Sequence, residues 1–258
     1  MTCPRYDLHM HSKYLGCANE TMEIPAILAE CKRLGVAALA ITDHLNRPDQ
    51  LAQHAPIRQA ILEAETDLDV YFGVELSFMS CDGPFAIDPQ QKEESGFQLV
   101  IGGIHDTFVD EYDLGEIIDI QHRHHMAVCA NPMIDVLVHP YWFGQKEFER
   151  KGFPLFESMK SVPEAHVREL GQAAAETGTA IEISPGQVRF KPDRPEAAEH
   201  YMNFLACLAE YGVMFTTCSD AHDVGHLARV AESWQAFEKL GLGRDRIWRP
   251  DVEPLAGR

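Results

Sequence analysis

Short apolar runs alternate with helical patterns along almost the whole of this chain, and that alternation limits the folds open to it. The runs are Arg5–His9, Val36–Thr42, Val70–Leu76, Leu99–His105, Val136–His139, Ala180–Ser184 and Val213–Ser219. Helical periodicity falls at about 22–34, 48–65, 113–128, 162–177, 195–211 and 224–240. Leu34-Gly35, Thr177-Gly178 and Tyr211-Gly212 put glycine where a helix C-cap takes left-handed backbone. Ser161-Val162-Pro163-Glu164 has the form of a capping box, with proline in the first turn. Strands separated by helices pair in parallel and are covered by those helices. Every run but the third is followed by a helix. The expectation is an α/β fold, a distorted seven-stranded (β/α)7 TIM-like barrel one unit short of eight; an open doubly wound sheet is the alternative.

The 258 residues suit one domain spanning 1–258, with no internal repeat, low-complexity tract or linker to divide it. A net charge of −18 makes the chain a poor general binder of nucleic acid backbone. No apolar run is long enough to cross a membrane, and the first residues lack a secretory pattern, so a cytoplasmic protein is expected. The seven cysteines include no C-x-x-C pair and fit a reducing compartment; Cys31 and Cys207 read as helix core. Two long connections stand out. Ser77–Phe97 shows no clear helix, and Tyr141–Lys160 is rich in aromatics; connections of this length tend to be lids or substrate walls.

The ends of the runs carry the chemistry. His9 and His11, two residues apart on an extended segment, can aim two imidazoles the same way. Later runs end in Thr42-Asp43-His44, Val74-Glu75, Ile104-His105, Val138-His139-Pro140 and Ser219-Asp220-Ala221-His222. Six of the 13 histidines therefore follow apolar runs, at strand ends that converge on one face in parallel α/β folds. With Glu75 and Asp220 they form a set of donors for divalent metals, enough for two or three ions with Glu75 as the natural bridge.

These motifs, in this order, resemble the PHP (polymerase and histidinol phosphatase) family, and most of all its stand-alone phosphoesterases. The likeness runs from residue 6 to about 226. It implies a seven-stranded distorted barrel and usually three divalent ions. His9, His11, Glu75 and Asp220 would hold one ion; Glu75, His105 and His139 a second; His44 and His222 a third, with the residue eight positions after His9. That residue is usually histidine in the family and is Cys17 here. A thiolate biases a site toward zinc or iron and away from magnesium and manganese. Cys17 is read as a ligand, with a bystanding thiol beside a weak third site as the alternative.

Other residues fill out the reading. Asp43 is expected to orient a histidine, and Glu182 to meet substrate or support a ligand. Arg189, and less strongly Lys13, are candidate phosphate ligands. His122, His124 and His125 read as histidines placed near a helix C-terminus. The function expected is a metal-dependent phosphoesterase, histidinol-phosphatase-like, hydrolysing a small phosphate monoester through a metal-bound hydroxide. The ions would be Zn, Fe or Mn. Glu75, Asp220 and His222 would be the catalytic residues, with His222 or a metal-bound water protonating the leaving group. An amidohydrolase-like C–N hydrolase and a non-catalytic metal-stabilised PHP domain are the alternatives.

Overall fold

The computed structural model describes residues 5–81, 83–141, 145–154, 158–188 and 195–257. Its strands are β1 (Arg5–Asp7), β2 (Val36–Ile41), β3 (His44–Leu45), β4 (Asp69–Ser77), β5 (Leu99–Gly103), β6 (Val136–Leu137), β7 (Ala180–Ile183) and β8 (Phe215–Thr217). The order β1-β2-β4-β5-β6-β7-β8 is parallel throughout, and β3 pairs with β4. Ile41 pairs with Phe72 and His44 with Glu75, an offset of 31 residues in each case. β2 and β3 are thus one stave interrupted at Thr42-Asp43, and the staves number seven.

The first stave meets the last. Leu8 N–H donates to the Thr217 carbonyl at 3.2 Å, Asp220 N–H to His9 at 2.9 Å, and Met10 bridges Ala221 in parallel. These bonds close the sheet into a barrel and exclude the open sheet.

Inside the barrel, Leu8, Ala38, Ala40, Tyr71, Leu99, Ile101, Val136, Val138 and Ala180 form a buried apolar layer. The larger core lies between sheet and helices. Along a strand every second residue faces the same way. Tyr71 and Glu75, Leu99 and Ile101 with His105, and Ala180 with Glu182 therefore share inward faces. Each stave is apolar at its base and carries a polar group at its C-terminal end.

The helices Ile24–Leu34, Leu114–Ala130, Glu164–Thr177, Pro195–Glu210 and Val230–Lys239 lie close to the sequence expectation, and Gly35 and Gly178 are left-handed C-caps at φ 72° and 79°. Four details differ. Arg5–His9 is regular strand only to Asp7; beyond it the chain stays bonded to its neighbours through single bonds of Leu8, His9 and Met10 rather than a continuous ladder. The connection after β4 holds a helix, Pro89–Ser95, started by a capping box of Asp88 and Gln91. Ser161 caps nothing: it ends a short turn of 3-10 helix, and Pro163 is the N-cap of the helix that follows. In the second long connection Tyr141 and Phe148 are buried core rather than a substrate wall.

Candidate metal centre

Nine side chains expected to ligate metals gather at the C-terminal mouth, around Glu75. The register of β4 places Glu75 beside His44 on one side and Ile101 on the other, and its carboxylate is fully buried. Oε2 lies 3.3 Å from His9 Nε2 and 3.6 Å from His11 Nε2. Oε1 lies 3.2 Å from His105 Nε2 and 2.9 Å from His139 Nε2. One carboxylate faces two groups of imidazoles.

Three donors of the first group have the spacing of ligands to one tetrahedral ion. His9 Nε2 and His11 Nε2 are 3.2 Å apart, and Asp220 Oδ1 is 3.6 Å from the one and 3.4 Å from the other. The three edges among these donors measure 3.2–3.6 Å, and Glu75 approaches the two histidines from a side where it groups with His9 and His139 rather than with Asp220. A tetrahedral ion with bonds of about 2.0–2.2 Å leaves its donors about 3.3–3.6 Å apart.

The second group is Glu75 Oε1 with His105 and His139. In the third, donor atoms of His11, Cys17, His44 and His222 all lie within 4.8 Å of one another. The His11 ring is stacked between those of His44 at 4.3 Å and His222 at 4.1 Å. Cys17 Sγ also approaches Asp43 Oδ1, at 3.9 Å.

The donor set fits cations better than it fits itself. His44 Nδ1 and Glu75 Oε2 are 2.7 Å apart, yet neither atom has a hydrogen bond of acceptable geometry among the described residues. Buried polar atoms are rarely left so; lone pairs aimed at a common point account for it.

Charge points the same way. Burial alone would raise the Glu75 carboxyl, but the imidazoles of His44, His105 and His9 outweigh it and hold the group well below the usual range. For His9 burial works downward, and the carboxylates of Glu182, Glu75 and Asp220 reverse it. Although Cys17 is exposed at the surface, partial enclosure of its thiol and the carboxylates of Asp43 and Glu75 push the thiol up to about 12, so a cation is needed to favour the thiolate.

Two candidate ligands sit in left-handed backbone, His139 at φ 33° and Asp220 at φ 48°. Non-glycine residues take that conformation at a cost that surrounding structure must offset, and such residues cluster at functional sites.

A supporting layer holds the donors. Glu182 Oε2 is 2.7 Å from His9 Nδ1, and its Oε1 accepts the His139 backbone N–H at 3.1 Å. Ser77 Oγ is 2.6 Å from His105 Nδ1. Ser77 was missed from sequence, although it lies two residues after Glu75 on the same strand face. Gly103 is needed for space: a Cβ there would lie 2.7 Å from His139 Cε1 and 3.1 Å from Glu75 Oε1.

The Asp43 carboxylate, expected to orient a histidine, bonds none among the described residues; it accepts the Ser12 backbone N–H at 3.0 and 3.1 Å and so ties down the loop after β1, while its backbone carbonyl is 3.3 Å from His54 Nε2. Lys13, expected as a phosphate ligand, bonds the exposed carboxylates of Glu23 at 2.7 Å and Glu20 at 3.3 Å. Arg189 lies outside the described residues. His122, His124 and His125 are buried in mid-helix, since the helix runs on to Ala130. They bond Tyr141 Oη and Glu169, the Cys81 carbonyl, and the Tyr141 backbone N–H respectively.

Comparisons with known proteins agree with this architecture. The PHP domain family model matches residues 7–186. A "probable phosphatase" of Syntrophotalea carbinolica is 26% identical over 252 residues, covering 96% of this chain and 92% of that protein. Among solved structures, a histidinol phosphate phosphatase from Lactococcus lactis, complexed with zinc, L-histidinol and phosphate, superposes with a TM-score of 0.60 at 17% identity. That likeness covers 94% of this chain and 95% of the other.

Proposed function

Since the chain belongs to the PHP domain family, we propose that it is a metal-dependent phosphoesterase acting on a small phosphate monoester. The observation that carries this reading is the double-facing Glu75 carboxylate, with separate sets of imidazoles 2.9–3.6 Å from its two oxygens. The Syntrophotalea relative and the zinc- and phosphate-bearing Lactococcus structure support the reaction class. We take residues 1–258 as one such domain, in the cytoplasm and without a nucleic-acid partner.

His9, His11, Glu75 and Asp220 would hold one ion, Glu75, His105 and His139 a second, and Cys17, His44 and His222 a third, with His11 close to the last set. Divalent ions there, of zinc, iron or manganese, would polarise phosphate oxygens and lower the pKa of a bound water to near neutrality. The protein's part is position. Glu75 keeps the first two sets apart at the length of one carboxylate. Glu182 and Ser77 hold His9 and His105 by their second nitrogens, which fixes each ring's orientation. His222 is more exposed than the inner imidazoles, and its Nδ1 is 3.3 Å from the Asp220 carbonyl. A ring that gives its other nitrogen to an ion keeps no free proton, so His222 would serve either as donor to the third set, with a metal-bound water protonating the leaving oxygen, or as that acid itself. Histidinol phosphate, a sugar phosphate and a nucleotide are all small enough to be the substrate.

Elemental analysis of protein purified without chelator, paired with p-nitrophenyl phosphate hydrolysis, tests the reading. About three ions per chain and turnover abolished by a chelator are expected. Metal without phosphatase turnover would overturn it and favour a structural or C–N-hydrolysing role.

A further inference from the structure

We propose that the cleft beside His105 is a leaving-group subsite shaped for a flat, uncharged apolar ring. The proposal rests on the phosphoesterase reading and names the substrate class for that site. The cleft has a volume of about 680 Å³, within the usual range for small-molecule sites, and both Ser77 and His105 line it. A phosphoryl group over the second set of donors would therefore have this opening beside it.

The walls are apolar and already rigid. Phe78 stacks on His124 with centroids 4.0 Å apart and rings 11° from parallel, and packs on Phe85 at 4.3 Å. Phe108 meets the same histidine edge-on at 5.3 Å. Its backbone is left-handed, φ 56°, and is held there by its N–H donating to Asp106 Oδ1 at 2.8 Å. Lys151 Nζ then pins the loop through Asp106 Oδ1 at 3.0 Å, Thr107 Oγ1 at 2.8 Å and the Val109 carbonyl at 3.0 Å. Met79 lines the same cleft and is 39% exposed, a large apolar side chain turned to solvent. A wall ordered before the ligand arrives does not lose that freedom on binding.

The charges of the lining are paired. Asp106 is bonded to Lys151, and Arg47 to Asp49 at 3.1 Å. With Lys151 counted, the formal charges of this lining cancel, so it presents no net countercharge to a second phosphate or an ammonium, although the Arg47–Asp49 pair is exposed and weak. A polyol would bury hydroxyls against carbon, which is unfavourable without partners. Asn46 also lines the cleft, but its Oδ1 is buried and does not face a ligand there.

The test compares 2-phenylethyl phosphate with glycerol 1-phosphate, both with alkoxide leaving groups, using protein purified with its metals. The aromatic ester is expected to have at least about a tenfold advantage in kcat/KM, carried by KM, the size that burial of a ring supplies. Met79→Ser should remove most of that advantage while sparing glycerol 1-phosphate, and Met79→Leu should restore it. Binding of 2-phenylethylphosphonate against ethylphosphonate, by calorimetry, reads the cleft without chemistry. A tenfold preference there sustains the cleft as a ring-binding subsite even if no ester is turned over; that second result would sink the phosphoesterase reading, and with it the leaving-group role, but not the ring specificity. Equal KM values, equal or undetectable phosphonate binding, or an advantage that survives Met79→Ser would overturn it.

Discussion

The carboxylate of Glu182 joins two candidate ligands from different staves, with one oxygen 2.7 Å from His9 Nδ1 and the other accepting the His139 backbone N–H at 3.1 Å. It lies behind the ring nitrogen that faces Glu75. Glu182→Gln keeps the shape and removes the charge, making His9 a weaker donor. A 10–100-fold loss of metal affinity is expected, at the scale of about 10–100-fold known for supporting carboxylates. Competition with a chromophoric chelator measures it; unchanged affinity would reduce Glu182 to a packing residue.

Cys17 departs from the family's usual histidine. If its thiolate ligates the third ion, protein loaded with cobalt(II) shows a sulfur-to-metal charge-transfer band in the near ultraviolet. Cys17→Ser loses both the band and about one equivalent of metal. The same band in wild type and variant, or its absence from both, removes the thiolate from the ligand set.

Gly103 leaves no room for a methyl group beside His139 and Glu75. Gly103→Ala should destabilise the fold by about 1–3 kcal/mol, as overpacking does, and weaken the second metal set before the first. Urea unfolding together with metal stoichiometry checks both parts. An alanine variant that binds its full complement would show that the mouth can relax around the methyl.

His125 is fully buried, and its Nε2 accepts the Tyr141 backbone N–H at 2.9 Å, a bond that only an unprotonated nitrogen can make. Burial first, then the neighbouring histidines, holds its pKa well below the usual value. Below about pH 6.5 the unfolded chain takes up a proton that the folded chain refuses, so stability falls as pH falls, by at most about 1.4 kcal/mol per unit for this one group. Urea midpoints of metal-free protein between pH 5 and 7 should fall less steeply for His125→Gln, whose amide oxygen can accept the same bond without titrating. Identical slopes would locate the acid sensitivity elsewhere.

Much of the site was legible because its residues follow the periods of the elements that carry them. Glu75, His105 and Glu182 lie on the inward phase of β4, β5 and β7, and an apolar run ending in histidine can be read from the chain alone. Asp43 misled because its neighbour His44 suggested a short-range bond, whereas its partner is the backbone of Ser12, 31 positions earlier. His122, His124 and His125 misled because their partners on Tyr141, Glu169 and Cys81 come from three other segments. The helix Pro89–Ser95 was missed although its capping signal, Asp88 and Gln91, was present; seven residues are too few for a periodic pattern.

By itself the sequence determined the number of staves, their parallel pairing and the residue types at the mouth, since hydrophobic period and glycine caps are local properties. Glu75 was expected as a bridge; only the tertiary structure decided which of its oxygens meets which imidazoles and at what distance, that His139 and Asp220 adopt left-handed backbone, and that Lys13 turns toward Glu23 and Glu20. It also decided that a cleft walled by Phe78, Met79 and Phe108 opens beside His105. Those features depend on barrel closure, which brings β1 against β8 across some two hundred residues, and a distance between side chains on different staves is not encoded in any one segment.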